Sequence, residues 1–233
     1  MRDGTMNNVS RQKITILLAD DHPFTQRGIK ASLAQCSDIE VVGEASNGID
    51  VQYMVSTLYP RVVLLDLEMP DLAPALFARW VREFHPDTII LILTFHTRNT
   101  AHLACMMDAG VAGYLYKGIS AAELTDCIRR ANNGEILFSR EQLINVNEWR
   151  RDVGDKIRQL TSQEMEILKL LATGKTNEKI AQTRNLTVKA ITYHITNIFS
   201  KLQINSRVEA TIWALENLSD NLDLNPYLGD KKN

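Results

Sequence analysis

Residues 62–70 read VVLLDLEMP: four consecutive valines and leucines that give out on an acid, Asp66. A short, unalternating apolar run of this kind suits a strand covered on both faces, as in a parallel sheet layered with helices. The same pattern recurs to either side. LLADDHP (17–23) ends on Asp20 and Asp21, IILILT (89–94) on Thr94, and GYLYKG (113–118) on Lys117. With a further run at Ile39–Glu44, the strands expected are Ile14–Leu18, Ile39–Glu44, Val62–Leu65, Ile89–Leu93 and Gly113–Leu115. Helical patterns alternate with them at Pro23–Leu33, Gly48–Leu58, Ala75–Phe84, Asn99–Ala109 and Ala121–Asn132. Strict strand-helix alternation predicts an α/β fold with a five-stranded, doubly wound parallel sheet.

In such a sheet the C-terminal ends of the strands share one edge, where groups distant in sequence meet. Asp20, Asp21, Asp66, Thr94 and Lys117 all fall on that edge. Three crowded carboxylates call for a counter-charge, and a hard divalent cation such as Mg2+, which prefers oxygen ligands, supplies one. The expected metal ligands are Asp20, Asp21 and Asp66 with the main-chain carbonyl of Glu68. Asp66 is then placed to attack a phosphoryl group as a nucleophile. Lys117 would pair with the phosphoryl oxygens and Thr94 would hydrogen-bond one of them. Rival readings of the same sheet fare worse. Neither a GxGxxG turn nor a Ser/Thr/Gly-rich phosphate loop follows the first strand, where Asp20-Asp21-His22-Pro23 stands instead. The spacing Asp66-Leu67-Glu68-Met69-Pro70 also fits a dehalogenase-type phosphatase poorly.

The remainder of the chain is patterned differently. Thr161-x-x-Glu164 is a capping-box signature ahead of Ile167, Leu168 and Leu171, and Gly174 closes that helix. Thr176–Thr183 reads as a short helix, a turn follows at Arg184–Leu186, and Thr187 can cap a third. In that third helix Val188, Ile191, Ile195, Ile198 and Leu202 recur at steps of three and four and define a buried stripe, leaving Lys189, Thr192, Tyr193, Thr196 and Asn197 toward solvent. A fourth, Ser206–Asn217, places Val208, Ile212 and Leu215 together. Residues 12–134 are thus expected to form the α/β domain and 157–219 a smaller all-α domain of four helices. A linker (135–156), holding at most a short helix, joins them, and 220–233 is a tail.

Charge follows this division. Between Ile14 and Phe138 fifteen acids face nine bases, whereas from Arg158 to Leu218 eight bases face five acids. A basic module favours a polyanionic partner such as double-stranded DNA. No apolar run approaches the roughly 20 residues of a membrane span, and Met1–Lys13 lacks the apolar core of a signal peptide, so a cytoplasmic protein without a membrane partner is expected. Cys36, Cys105 and Cys127 show no CxxC spacing and support neither a disulfide framework nor a zinc site.

Taken together, LLADDHPFTQRGI, VVLLDLEMP, ILILTF and DAGVAGYLYKG, followed by LTSQEMEILKLLATGKTNEKIAQ and AITYHITNIFSKLQINSR, resemble a two-domain response regulator of the NarL/FixJ type. In that family a flavodoxin-like receiver precedes a LuxR-type helix-turn-helix. The resemblance spans Ile14 to about Asn217. It implies a transcription regulator, not an enzyme, whose Asp66 is phosphorylated by a histidine kinase with Mg2+ present and which acts as a homodimer. It implies that Thr94 and Tyr114 repack on phosphorylation. It also implies that Thr192, Tyr193 and Thr196 face bases in the major groove, with Lys189, His194, Lys201 and Arg207 nearer the phosphates or the domain core.

Three departures from the family pattern stand out. Asp71-Leu72-Ala73-Pro74 replaces the usual glycine-rich turn after Met-Pro, Phe95 replaces a small residue after the switch threonine, and Thr192 stands where a base is common. The first two departures make a DNA-binding regulator independent of phosphorylation the alternative expectation. A phosphoryl-transfer or relay protein whose basic domain binds only protein is a third.

Overall fold

The computed structural model describes residues 13–95 and 100–218. It divides into two compact units, and the first comprises residues 13–95 and 110–138. Its elements are β1 (Ile14–Ala19), α1 (Pro23–Leu33), β2 (Ile39–Ala45), α2 (Gly48–Leu58), β3 (Val62–Asp66), α3 (Pro74–Phe84), β4 (Ile89–Thr94), β5 (Gly113–Tyr116) and α5 (Ala121–Asn132). All five strands pair in parallel in the order β2-β1-β3-β4-β5.

The central strand β3 is buried at every position, as its unbroken apolar run requires, while the edge strand β2 is mostly half-exposed. Alternate residues feed two cores. Ile14, Ile16 and Leu18 of β1, Val62 and Leu64 of β3 and Leu91 and Leu93 of β4 pack with Leu33 of α1 and Leu124 and Ile128 of α5. Leu17, Val63, Leu65, Ile90 and Ile92, whose side chains point to the opposite face, are buried as well. Each fully buried aliphatic side chain contributes roughly 1.5–3 kcal/mol, so the sheet's position is fixed twice over.

Local chemistry starts the helices where the sequence indicates. Pro23 and Pro74 occupy the first turns of α1 and α3, where a missing N–H costs nothing. Asn47 caps α2 by accepting from the Asp50 N–H at 2.9 Å, and Ser120 with Glu123 forms a capping box on α5. All five strands run one residue beyond the sequence reading. Asp66 and Thr94 are therefore ladder residues, Asp66 pairing with Leu93, rather than the first residues of loops. After β3, Asp71 adopts a left-handed backbone (φ +56°) at the place where the family pattern carries glycine.

The second unit comprises residues 100–109 and 139–218. It contains α4 (Thr100–Ala109), α6 (Arg140–Trp149), α7 (Asp155–Gln159), α8 (Ser162–Ala172), α9 (Asn177–Arg184), α10 (Val188–Leu202) and α11 (Arg207–Asn217). The stretch expected to be a linker is helical, because a five-residue π-helical segment, Arg150–Gly154, joins α6 to α7 with helical dihedrals at both junctions. Trp149 and Val146 are buried, and the Trp149 indole donates to Asn217 Oδ1 at 3.4 Å. Helix α4 packs on α6, where Arg150 meets Asp108 at 2.6 Å.

In α10 the side chains of Ile191, Ile195, Ile198 and Leu202 are buried as the periodicity predicts. Val188, at the first helical position, is exposed instead. The apolar face expected on α11 is a larger correction. Ala210 and Ala214 are buried, whereas Val208 (67% exposed), Ile212 and Leu215 (66%) face outward. Small side chains let α11 lie close against α8, and that approach leaves the branched residues on the outer face.

Candidate functional site

The sheet order reverses between β1 and β3, and the crevice beyond their C-terminal ends is where such folds bind ligands. Asp20 and Asp21 leave β1 there, Asp66 ends β3, Thr94 ends β4 and Lys117 follows β5. All five predicted residues converge on this rim. Lys117 Nζ lies 2.5 Å from Asp66 Oδ2 and 2.9 Å from Asp20 Oδ2, bridging two carboxylates. Asp66 is only 3% exposed and the Lys117 side chain 2%, so this bridge is shielded from bulk water.

The acids outnumber the bridging lysine three to one. Asp20, Asp21, His22 and Asp66 each offer a ligand atom within 4.8 Å of the others. Asp21 Oδ1 is buried and accepts no aligned hydrogen bond, although His22 Nδ1 lies 2.7 Å away. Surplus negative charge and a buried oxygen lacking a proper donor fit a divalent cation with oxygen preference. The acidic pocket can therefore hold such a metal.

The sequence reading did not include His22. Its ring stands 3.2 Å from Asp20 Oδ1 and 3.8 Å from Asp66 Oδ2, and the His22 main-chain N–H donates to Asp20 Oδ1 at 2.8 Å. Adjacency to the acid pair was the available signal. Glu68 is exposed, and its backbone N–H donates to Asp66 Oδ1 at 3.3 Å. Thr94 is buried, and its carbonyl accepts from the Lys117 N–H at 2.9 Å, tying the ends of β4 and β5 together. Tyr114 is buried too and hydrogen-bonds Thr94. Burial pushes its hydroxyl up to about 12, outweighing the opposing effect of that hydrogen bond. Tyr114 thus keeps its proton at neutral pH.

In the second unit α9 and α10 form a helix-turn-helix. Asn185 ends α9 in a left-handed conformation, and Thr187 caps α10 by accepting from the Ala190 N–H. Lys189, Thr192, Tyr193 and Thr196 are all exposed on α10, Tyr193 at 65%. Thr192 and Thr196 meanwhile donate to carbonyls of their own helix, Val188 and Thr192, both at 3.0 Å. Lys201 and Arg207 are engaged within the unit. Lys201 Nζ lies 2.6 Å from the buried carboxylate of Glu164, and Arg207 donates to Asn177 Oδ1 at 3.0 Å and to the Lys175 carbonyl.

Comparison with known proteins matches this geometry. Residues 16–129 match the response regulator receiver domain family, and residues 158–214 match the bacterial regulatory proteins of the luxR family. The chain belongs to the response regulators that join a receiver to a LuxR-type DNA-binding domain. Among its relatives is the response regulator protein VraR of Staphylococcus aureus, 34% identical over 203 residues that cover 87% of this chain and 97% of VraR. Similar solved structures include the two-component response regulator RcsB in complex with DNA (25% identity, TM-score 0.57, 89% of this chain and 100% of that one). Another is the response regulator ChrA of a heme-sensing two-component system (28% identity, TM-score 0.51, 88% and 97%). This chain is accordingly a DNA-binding response regulator, a regulatory protein rather than a classical enzyme. No helix among the described residues is long and apolar enough to cross a membrane.

Proposed function

We propose that Asp66 is the phosphoacceptor, that a histidine kinase is the donor, and that the acidic pocket takes Mg2+ on Asp20, Asp21, Asp66 and the Glu68 carbonyl. The contact between Lys117 and Asp66 carries this reading, because it sets a cation beside the one acid that ends the central strand. When bound, the metal offsets negative charge on the transferring phosphoryl oxygens. An Asp66 carboxylate oxygen attacks phosphorus, the phosphorus–nitrogen bond of the kinase's phosphohistidine breaks, and its electron pair returns to the imidazole. Lys117 then exchanges a carboxylate oxygen for a phosphoryl oxygen. Thr94, released toward the same group, changes the partner available to Tyr114.

Output lies with α10. Its exposed Thr192, Tyr193 and Thr196 suit base edges in a major groove and Lys189 suits phosphate. The intramolecular bonds of Lys201 and Arg207 support a role in holding the reading helix rather than in leading contact with DNA. The outer stripe of Val208, Ile212 and Leu215 suits a second copy of the chain, as reading of paired half-sites demands.

Acetyl phosphate with Mg2+ is expected to add one phosphoryl group by intact mass, and Asp66→Asn to abolish it. Persistent labelling of Asp66→Asn would remove Asp66 from its role. Equal promoter binding by both proteins, with neither labelled, would favour regulation without phosphorylation.

A further inference from the structure

The lysine in the pocket has a third neighbour that the phosphotransfer chemistry does not use. Phe95 directly follows Thr94, and its ring centroid lies 5.1 Å from Lys117 Nζ. The edge of Tyr116 braces that ring at 6.4 Å and 82°. Lys117 therefore lies close to two carboxylates and to an aromatic face, all of which attract a cation electrostatically. Although Phe95 is 54% exposed, the lysine it covers is almost fully buried.

The spacing makes this cover consequential. A gap of 2.5 Å between Lys117 Nζ and Asp66 Oδ2 has no room for a phosphoryl group. To make room, the ammonium must shift, and the Phe95 ring packed 5.1 Å from it restricts that shift. Beside the ring lies a depression of about 350 Å³ lined by Phe24, Gly28, Ile119 and Leu124 among others. A Cβ built on Gly28 meets nothing within 4 Å, so this space is open. The ring has somewhere to swing.

We infer that Phe95 is a gate on Lys117: it must swing aside for Asp66 to be phosphorylated, and on returning it shields the acyl phosphate from water, slowing both steps. This rests on Asp66 being the phosphoacceptor. Loss of the label is hydrolysis, in which water attacks phosphorus, the bond from phosphorus to the Asp66 oxygen breaks, and inorganic phosphate leaves. Phe95 touches neither reacting atom in this structure and acts through Lys117 as a positioning residue.

The test follows intact mass of the full chain during labelling by acetyl phosphate with Mg2+, and again after the donor is removed. Phe95→Ala is expected to label faster and to lose its phosphoryl group about tenfold faster than wild type. Phe95→Trp, which restores an aromatic face, should return both rates toward wild type. Gly28→Leu fills the depression on a helix surface that accepts leucine, so labelling should slow several-fold. General loosening of the pocket would slow labelling in Phe95→Ala, so a rise in both rates separates a gate from mere damage. Equal rates in wild type and Phe95→Ala, or slower hydrolysis in the latter, would overturn the gate while leaving Asp66 in place as acceptor. No label on either protein would overturn the phosphoacceptor reading and this inference with it.

Discussion

Among the described residues, two places bury a carboxylate against a lysine, and they differ in how well the carboxylate is satisfied. Glu164 accepts from the Thr161 N–H at 2.7 Å, the Thr161 hydroxyl at 3.0 Å and Lys201 at 2.6 Å. The pocket at the end of β3 instead crowds three acids around Lys117 and leaves Asp21 Oδ1 without an aligned donor. Burial and residue type are shared. Charge balance separates a structural strut, which is complete, from a site that can take a cation.

The strut provides the sharpest break. Removing Lys201 leaves Glu164 buried and short of its counter-ion, so Lys201→Ala should destabilise the helix-turn-helix unit by about 3 kcal/mol in denaturant unfolding. Acid should act the same way. Burial alone would raise the Glu164 carboxyl, but hydrogen bonds from Lys201 and Thr161 hold it below its ordinary value of 4.5. A folded-state pKa below the unfolded one contributes stability that is fully present above the ordinary glutamate range and is lost as pH falls through the depressed value. Glu164→Gln should flatten that acid limb. If it leaves both the acid limb and neutral stability unchanged, Glu164 is not a strut.

The pocket should respond with the opposite sign. Asp21 is the acid not paired with Lys117, so Asp21→Asn relieves like-charge repulsion and is expected to stabilise the metal-free receiver by about 1 kcal/mol. The same substitution should shrink the rise in Tm that millimolar Mg2+ produces in wild type, since binding to the native state stabilises by mass action. A lower Tm for Asp21→Asn without metal would erase the distinction between the two carboxylate sites.

The strut and the pocket were unequally legible in the sequence. Every strand of the receiver and all five rim residues follow from where apolar runs end, because a parallel sheet converts chain order into spatial convergence. Thr161 and Glu164 read only as a helix cap, since nothing local indicates that Lys201, 37 residues on, closes the pair. Lys201 was therefore singled out only through the family resemblance, as a residue nearer the phosphates or the domain core, and not as the partner of Glu164. The apolar residues of α11 misled for a related reason: periodicity reports that Val208, Ile212 and Leu215 share a face, but the choice of buried face was made by Ala210 and Ala214 against α8. The helix across 140–159 was hidden by a weak apolar period, with Val146, Trp149 and Ile157 as its few buried apolar side chains beside the buried Gly154.

The exposed face of α10 extends the comparison to charges with no buried partner. Lys189 is exposed, and among the described residues no ion pair holds it. Lys189→Ala should leave stability unchanged, weaken binding to all DNA sequences by roughly tenfold or less, and reduce the salt slope by about one. Tyr193→Ala should alter preference among sequences more than overall affinity. The reverse pattern in a DNA-selection assay would mean that the helix presents a different face.

The smallest effect belongs to Asp71, at the pocket's outer loop. Its left-handed backbone is tolerated by aspartate at some cost, and glycine would remove that strain while adding entropy to the unfolded chain. These contributions nearly cancel, so Asp71→Gly should change stability by less than about 1 kcal/mol. Alanine cannot relieve the strain and lacks the short polar side chain that eases this conformation, so Asp71→Ala should be the less stable of the two. Packing here also constrains the neighbour: an added Cβ on Gly48 would lie 2.5 Å from the Asp71 carbonyl. Gly48→Ala should therefore cost more than either change at Asp71. If it does not, the loop is free to move, and its left-handed residue does not fix the pocket's rim.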